Sequence, residues 1–300
     1  MLYNNILETI GNTPLVKLNK ITDKNIFVKV ESFNPAGSIK DRAAYNMLSN
    51  ALKENAVNKD TVIIEPTSGN TGVGLCMTAA YLGLKIIIVM PETMSEERKQ
   101  LMKAYGAELV LTDGASGMKG AINKANELHN EIKNSFIPQQ FANKYNPEIH
   151  YKTTSEEILK DLNGKIDYFI AGIGTGGTIT GIGKKLKEKI PDVKIIGVEP
   201  YSSPFLTKGE TGAHKIQGIG AGFKPEILDL NIIDEIITVK NEDAFLYTRM
   251  LAQKEGILAG ISSGANVWAS IKTASEHSDK NIVTILPDTG ERYLSTGVFG

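Results

Sequence analysis

The chain carries one cysteine and one tryptophan in 300 residues, only four histidines, and almost no net charge. A single thiol, Cys76, excludes an intrachain disulfide and any cysteine-built zinc site. It lies in the apolar stretch Gly72–Ala80, where a thiol packs as a small inert hydrophobe. His129, His150, His214 and His277 never fall at HxH or HxxxH spacing, so no dedicated metal site is expected. Lys+Arg at 33 against Asp+Glu at 34 leaves a formal charge of −1, too weak a field to gather nucleic acid or an anionic membrane. The lysines of Gly183–Lys187 read as the solvated face of a helix. No apolar run reaches the roughly eighteen residues of a membrane span. The start, Met1-Leu2-Tyr3-Asn4-Asn5, has neither a basic nor an apolar targeting region. These absences predict a cytoplasmic protein without nucleic-acid or membrane partners.

What is present is ordinary globular composition, 41% hydrophobic and 22% charged, in a length that suits one large or two medium domains. Thr61–Ile64, Lys85–Met90, Leu109–Thr112, Tyr168–Ala171, Lys194–Val198 and Asn281–Leu286 are apolar throughout rather than alternating. Such runs fit strands buried on both faces of a mostly parallel sheet. Helix-like segments fall between them, among them Asp41–Glu54, Gly72–Leu82, Ser95–Tyr105 and Met118–Ile132, so the fold class is α/β. Turn-rich Asn143–Pro147 marks a junction between two domains, 1–145 and 146–300. The irregular stretch Tyr201–Pro225 reads as a site wall, because its Gly218–Phe223 tip lets backbone lie close to a ligand; a plain surface excursion is the alternative.

Three punctuated segments carry the chemistry. Pro35-Ala36-Gly37-Ser38-Ile39-Lys40-Asp41-Arg42 puts a lysine at the mouth of a helix, behind a turn. Thr67-Ser68-Gly69-Asn70-Thr71-Gly72 follows an apolar run and opens the next helix. The first N–H groups of a helix lack intrahelical acceptors, so they and nearby hydroxyls suit an anion such as a carboxylate. A lysine amine can capture an aldehyde cofactor. In the third segment, Ala171–Thr178, Gly172, Gly174 and Gly177 satisfy the dinucleotide pattern G-x-G-x-x-G. The next strand, however, reaches its acid, Glu199, twenty-seven positions after Gly172, beyond the usual ribose-binding acid. Consecutive N–H groups and the hydroxyls of Thr175 and Thr178 suit one phosphate dianion instead. A phosphate here and a reactive lysine elsewhere fit pyridoxal phosphate better than NAD. Taken singly, each feature has a bland reading: Lys40 a solvated lysine, Asn70 and Ser262 helix caps, Gln140 a loop amide, the glycine loop a bare turn. Their joint occurrence favours a site.

These segments occur in order with Ile10–Leu15, Met90–Ser95, His214–Phe223, Gly260–Ala265 and Gly290–Tyr293. Through them, from Ile10 to Ser295, the sequence closely resembles the cysteine synthases (O-acetylserine sulfhydrylases) among the fold-type-II pyridoxal-phosphate enzymes. The resemblance implies two open, twisted, mostly parallel sheets flanked by helices, a cofactor cleft between the domains, and residues 12–36 crossing to the second domain. It implies pyridoxal 5′-phosphate as cofactor and Lys40 as the catalytic residue that carries it covalently. Asn70 would meet its 3′ oxygen, and Gly174, Thr175, Gly176, Gly177 and Thr178 its phosphate. Ser262, with Ser263 as the alternative, would face its pyridine nitrogen. Thr67, Ser68, Asn70, Thr71 and Gln140 would bind the substrate's α-carboxylate. The implied reaction exchanges the acetate of O-acetyl-L-serine for sulfide, giving L-cysteine. The implied assembly is a homodimer, and family members also bind the C-terminal tail of serine acetyltransferase. Cystathionine β-synthase and O-phosphoserine sulfhydrylase share the chemistry and remain alternatives, as do a silent acetyltransferase partner and, on the glycine loop alone, an NAD oxidoreductase. Ala36-Gly37, Ile39 and Asp288 depart from the commoner family pattern.

Overall fold

A computed structural model describes residues 2–300. Its strands, in chain order, are β1 (Leu15–Lys17), β2 (Ile26–Val30), β3 (Val62–Pro66), β4 (Lys85–Pro91), β5 (Glu108–Thr112), β6 (Ser135–Phe136), β7 (Tyr168–Gly172), β8 (Lys194–Pro200), β9 (Glu235–Val239) and β10 (Ile282–Leu286). The helices are α1 (Lys40–Lys53), α2 (Asn70–Leu82), α3 (Glu96–Ala104), α4 (Gly117–Glu131), α5 (Tyr145–Ile149), α6 (Ser155–Asp161), α7 (Gly177–Lys189), α8 (Phe205–Lys208), α9 (Asn241–Glu255) and α10 (Ile261–Glu276). A π-helical turn, His150–Thr154, joins α5 to α6. By contacts the chain divides into two compact units: Lys40–Asn146 with the N-terminal segment to Ile10, and Gly11–Ile39 with Pro147–Gly300.

The first unit is built on a four-stranded parallel sheet in the order β5-β4-β3-β6. Ile64, Ile87 and Val89 on one face pack against Ala121 and Ala125 of α4, small residues that let the helix lie close. The second unit holds a six-stranded sheet, β1-β2-β10-β7-β8-β9, parallel except where β1 runs against β2. Both of its faces are covered. Ile170, Ile196 and Val198 join one apolar cluster, and Phe169, Ala171 and Ile195 the other. Phe169 is fully buried, so Phe169→Ala costs roughly 3–5 kcal/mol by lost transfer energy and cavity formation.

Every strand read from an apolar run is present, and several run on to a proline or glycine. β3, β4 and β8 end at Pro66, Pro91 and Pro200, positions where a missing N–H is tolerated at a strand's end. The strands without such a signal are β1, β2, β6 and β9. In β2 the run Ile26-Phe27-Val28-Lys29-Val30 is interrupted by a charge that is itself buried. Lys29 Nζ pairs with Glu157 at 2.9 Å and Asp161 at 3.6 Å, and donates to the Thr13 carbonyl. The stretch from 201 to 225 is irregular apart from the four residues of α8.

Candidate active site

In the first unit the chain leaves β3 at Pro66 and continues its ladder for one residue, Thr67 N–H donating to the Val89 carbonyl at 3.1 Å. Gly69 then takes the N-cap position of α2 in an extended conformation, and no side chain caps the helix. Gly72 N–H turns back to the Gly69 carbonyl at 3.1 Å, and the N-terminus of a helix whose cap residue is a glycine is a place that suits a carboxylate. Asn70 is the first residue of the helix, not its cap. Thr71 Oγ1 donates to Gln140 Oε1 at 2.6 Å, and both residues are buried. Ser68 is half-buried, with its hydroxyl 3.8 Å from Met118 Sδ.

Lys40 is the first residue of α1, half-buried, and followed by buried Asp41 and Arg42. A Cβ on Gly74 would lie 3.1 Å from the Lys40 carbonyl oxygen and 3.2 Å from Ala44 Cβ, so glycine lets the first turns of α1 and α2 adjoin. The lysine and the carboxylate-type helix mouth thus belong to neighbouring helices of one unit. Beneath them Glu65, buried on β3, accepts the Gln139 N–H at 3.2 Å and the Gln140 N–H at 3.5 Å. Burial pushes its carboxyl up to about 7, against the lowering effect of the two amides. Cys76, in the middle of α2, is pushed up to about 12 by burial and stays an inert thiol.

In the second unit β7 ends at Gly172 and the glycine loop leads into α7, whose N-cap, Gly176, sits at φ +83° with no side-chain cap. A Cβ on Gly174 would fall well inside 3.0 Å of the Gly218 carbonyl oxygen, and one on Gly176 would fall 2.8 Å from Leu228 Cβ. Thr175 Oγ1 accepts the Gly177 N–H at 3.3 Å, and Thr178 Oγ1 lies 3.5 Å from Nε2 of buried His150. His150 Nδ1 meets Thr154 Oγ1 at 3.0 Å within the π-helical turn.

Ser262 stands in the first turn of α10, behind the uncapped N-cap Gly260. A Cβ on Gly218 would lie 3.8 Å from Ser262 Oγ, so the glycine loop, Gly218 and Ser262 are gathered at one place. Ser263 Oγ is buried with no hydrogen-bond partner. Asp288 Oδ2 accepts the Tyr293 hydroxyl at 2.6 Å, and the backbone carbonyl of residue 288, which does not depend on the side chain, accepts the Gly260 N–H at 3.1 Å.

The uncapped start of α7, framed by glycines that leave no room for a Cβ, fits one phosphate group, and an adjoining hydroxyl fits a ring nitrogen. Among the described residues no group of three or more His, Cys, Asp or Glu side chains could hold a metal ion, and no helix is long and apolar enough to cross a membrane. Sequence reasoning passed over Glu65 and His150. The first had a signal, an acid inside an apolar strand; the second had none.

A family model described as pyridoxal-phosphate dependent enzyme matches residues 6–288. The chain is 54% identical over 297 residues to cysteine synthase B of Campylobacter jejuni, covering 99% of both proteins. It also superposes on the crystal structure of O-acetyl serine sulfhydrylase isoform 3 from Entamoeba histolytica, with a TM-score of 0.96 and 46% identity, covering 100% of this chain and 92% of that one. A hydrogen sulfide-producing enzyme of Fusobacterium nucleatum matches with a TM-score of 0.94 and 52% identity, covering 98% and 100%. A match of this extent, over a chain whose helix mouths suit a carboxylate and a phosphate, means that the protein belongs to the family of pyridoxal-phosphate-dependent enzymes.

Proposed function

We propose that this enzyme is a cysteine synthase, exchanging the acetate of O-acetyl-L-serine for sulfide to give L-cysteine. The observation that carries the reading is the close packing of α1 on α2, with the Lys40 backbone against Gly74, so that the lysine starts one helix beside another whose glycine-capped mouth suits a carboxylate. Bound pyridoxal phosphate supplies an electron sink for the bond pair released when an α proton leaves. Gly174, Thr175, Gly176, Gly177 and Thr178 would hold its phosphate, Asn70 its 3′ oxygen, and Lys40 would carry it covalently at rest. Ser262 would offer the ring nitrogen a neutral hydroxyl, which gives that nitrogen no cause to keep a proton. Thr67, Ser68, Asn70, Thr71 and Gln140 grip the substrate's α-carboxylate and turn its α C–H bond toward Lys40. Once the substrate's own amine has displaced Lys40 from the cofactor, Lys40 Nζ would be a free amine, able to take that proton as a general base and return it to the product.

The likeness to a hydrogen sulfide-producing enzyme favours a second reading, in which the same residues release sulfide from L-cysteine. A homodimer in the cytoplasm is the proposed assembly. The same helix mouth takes the C-terminal carboxylate of serine acetyltransferase, since a peptide terminus and a substrate present one anion. An amidated tail peptide then binds far more weakly than the free acid, and equal binding by the two refutes that partner.

The deciding assay gives purified holoenzyme O-acetylserine, O-phosphoserine or serine with sulfide or homocysteine, and L-cysteine alone. Cysteine formation fastest from O-acetylserine and sulfide is expected. Cystathionine as the main product, or sulfide release outpacing synthesis, would replace the reading by one of its rivals.

A further inference from the structure

Glu65 takes no part in the steps above, yet it is placed at considerable cost. Its side chain is 1% exposed at the end of β3, two residues before Thr67, and an uncompensated carboxylate there costs several kcal/mol. The compensation is two backbone amides from a single turn, Gln139 on Oε2 and Gln140 on Oε1. That turn is strained: Gln139 sits at φ +55°, left-handed backbone that costs a residue with a side chain roughly 1–2 kcal/mol. The Gln139 carbonyl accepts Ala142 N–H at 2.9 Å and Asn143 N–H at 3.0 Å, and the Gln140 carbonyl accepts Asn146 Nδ2 at 2.9 Å. Held from both sides, the Gln140 side chain leaves the turn on a fixed course to Thr71 Oγ1 at 2.6 Å.

We propose that Glu65 is a positioning residue of the carboxylate site, its two oxygens fixing the Gln139–Gln140 turn so that Gln140 meets Thr71 at the mouth of α2. The proposal rests on the reading that Thr71 and Gln140 bind the substrate's carboxylate. An ionised carboxylate accepts both amides strongly; once protonated, one oxygen becomes a hydroxyl, a much poorer acceptor, and one of the two bonds weakens. Burial and these two amides are what act on its charge, and they leave its titration near neutrality. No charged group adds to burial and the two amides in setting its titration: Ile88 of β4 is its register partner, β6 pairs with Val62 and Ile63 further back along β3, and Cys76 of α2 stays neutral. On α4, Ala121 and Ala125 are the buried residues, whereas Lys119, Glu127, His129 and Glu131 are exposed and Lys124 is half-exposed. Carboxylate binding is therefore firm above pH 7 and slackens below it.

The test uses holoenzyme carrying Glu65→Gln, Gln140→Ala or both. KM and kcat are measured with O-acetylserine, and L-serine affinity is read from cofactor absorbance between pH 6 and 8.5. Glu65→Gln keeps the shape but only one acceptor, so it raises KM about tenfold, more than it lowers kcat, and flattens the pH dependence of L-serine affinity. In the Gln140→Ala background the same change adds nothing, because its effect runs through Gln140. Wild-type KM and pH profile in Glu65→Gln, or additive losses in the double variant, overturn the proposal. An unaltered KM and L-serine affinity in Gln140→Ala would instead overturn the carboxylate reading, and the proposal with it. Where Glu65→Gln fails to fold, Glu65→Asp serves: the shorter acid raises KM while retaining a pH limb, and wild-type KM in that variant refutes the idea equally.

Discussion

Replacing Gly174 by alanine adds one methyl group where the glycine loop passes Gly218. The Cβ falls well inside 3.0 Å of a carbonyl oxygen, and the obstacle is backbone, so no side chain can swing aside. Restoring ordinary contact moves one of the two loops by about 1 Å. Gly218 also faces Ser262, so the shift changes the spacing between that hydroxyl and the start of α7. Overpacking of this kind costs roughly 1–3 kcal/mol of stability, which lowers Tm by about 5 °C. Losing one N–H donor to a phosphate dianion costs about 2 kcal/mol more, or roughly thirtyfold in Kd for the cofactor. Apoenzyme titrated with pyridoxal phosphate by absorbance gives the second quantity, and calorimetry of the apoenzyme the first. A variant with wild-type Kd and unchanged Tm refutes both the packing against Gly218 and the assignment of the phosphate to this loop.

Lys40→Ala abolishes turnover while the glycine loop still holds free cofactor weakly; substantial cysteine formation without added amine would sink the assignment of Lys40 as base. Ser262→Asp places a charge where the neutral hydroxyl stood and slows release of acetate with cofactor still bound, whereas Ser263→Asp perturbs folding. The reverse pattern in a stopped-flow and thermal-melt comparison would exchange the two serines. Glu65 also gives stability a pH slope. Its folded pKa, about 7, lies above the ordinary value of 4.5, so its contribution is complete below pH 4.5 and is lost as pH rises to 7. Urea unfolding should show the wild type losing on the order of 2 kcal/mol relative to Glu65→Gln between pH 5 and 7.5; parallel curves would refute a neutral buried acid.

The parallel core was legible because its strands are buried on both faces and hence apolar throughout, as Ile86–Met90 and Ile195–Val198 show. β2 was not, because Lys29 breaks its pattern and the acids that neutralise it, Glu157 and Asp161, lie far along the chain. The helix mouths at Lys40, Asn70 and Gly177 could be read locally, since turn residues and helix starts are local events. The pairing of Thr71 with Gln140 could not, for it joins residues 69 positions apart. Nor did adjacent serines at 262 and 263 differ in any way a sequence shows. Their separation comes from one lying beside Gly218 and the other being packed away.

The register of the six-stranded sheet has a consequence for synthesis. β10 sits between β2 and β7, pairing Ile282 with Ile26 on one side and with Tyr168 on the other. The sheet of the first unit needs only residues 62–136, so it can form as the ribosome delivers them. The β1–β2 hairpin, by contrast, must wait with Ile26, Val28 and Val30 uncovered until almost the last residues emerge. A message truncated before Ile282 yields a chain whose second sheet is split in two, with two unpaired edges ready to capture other strands.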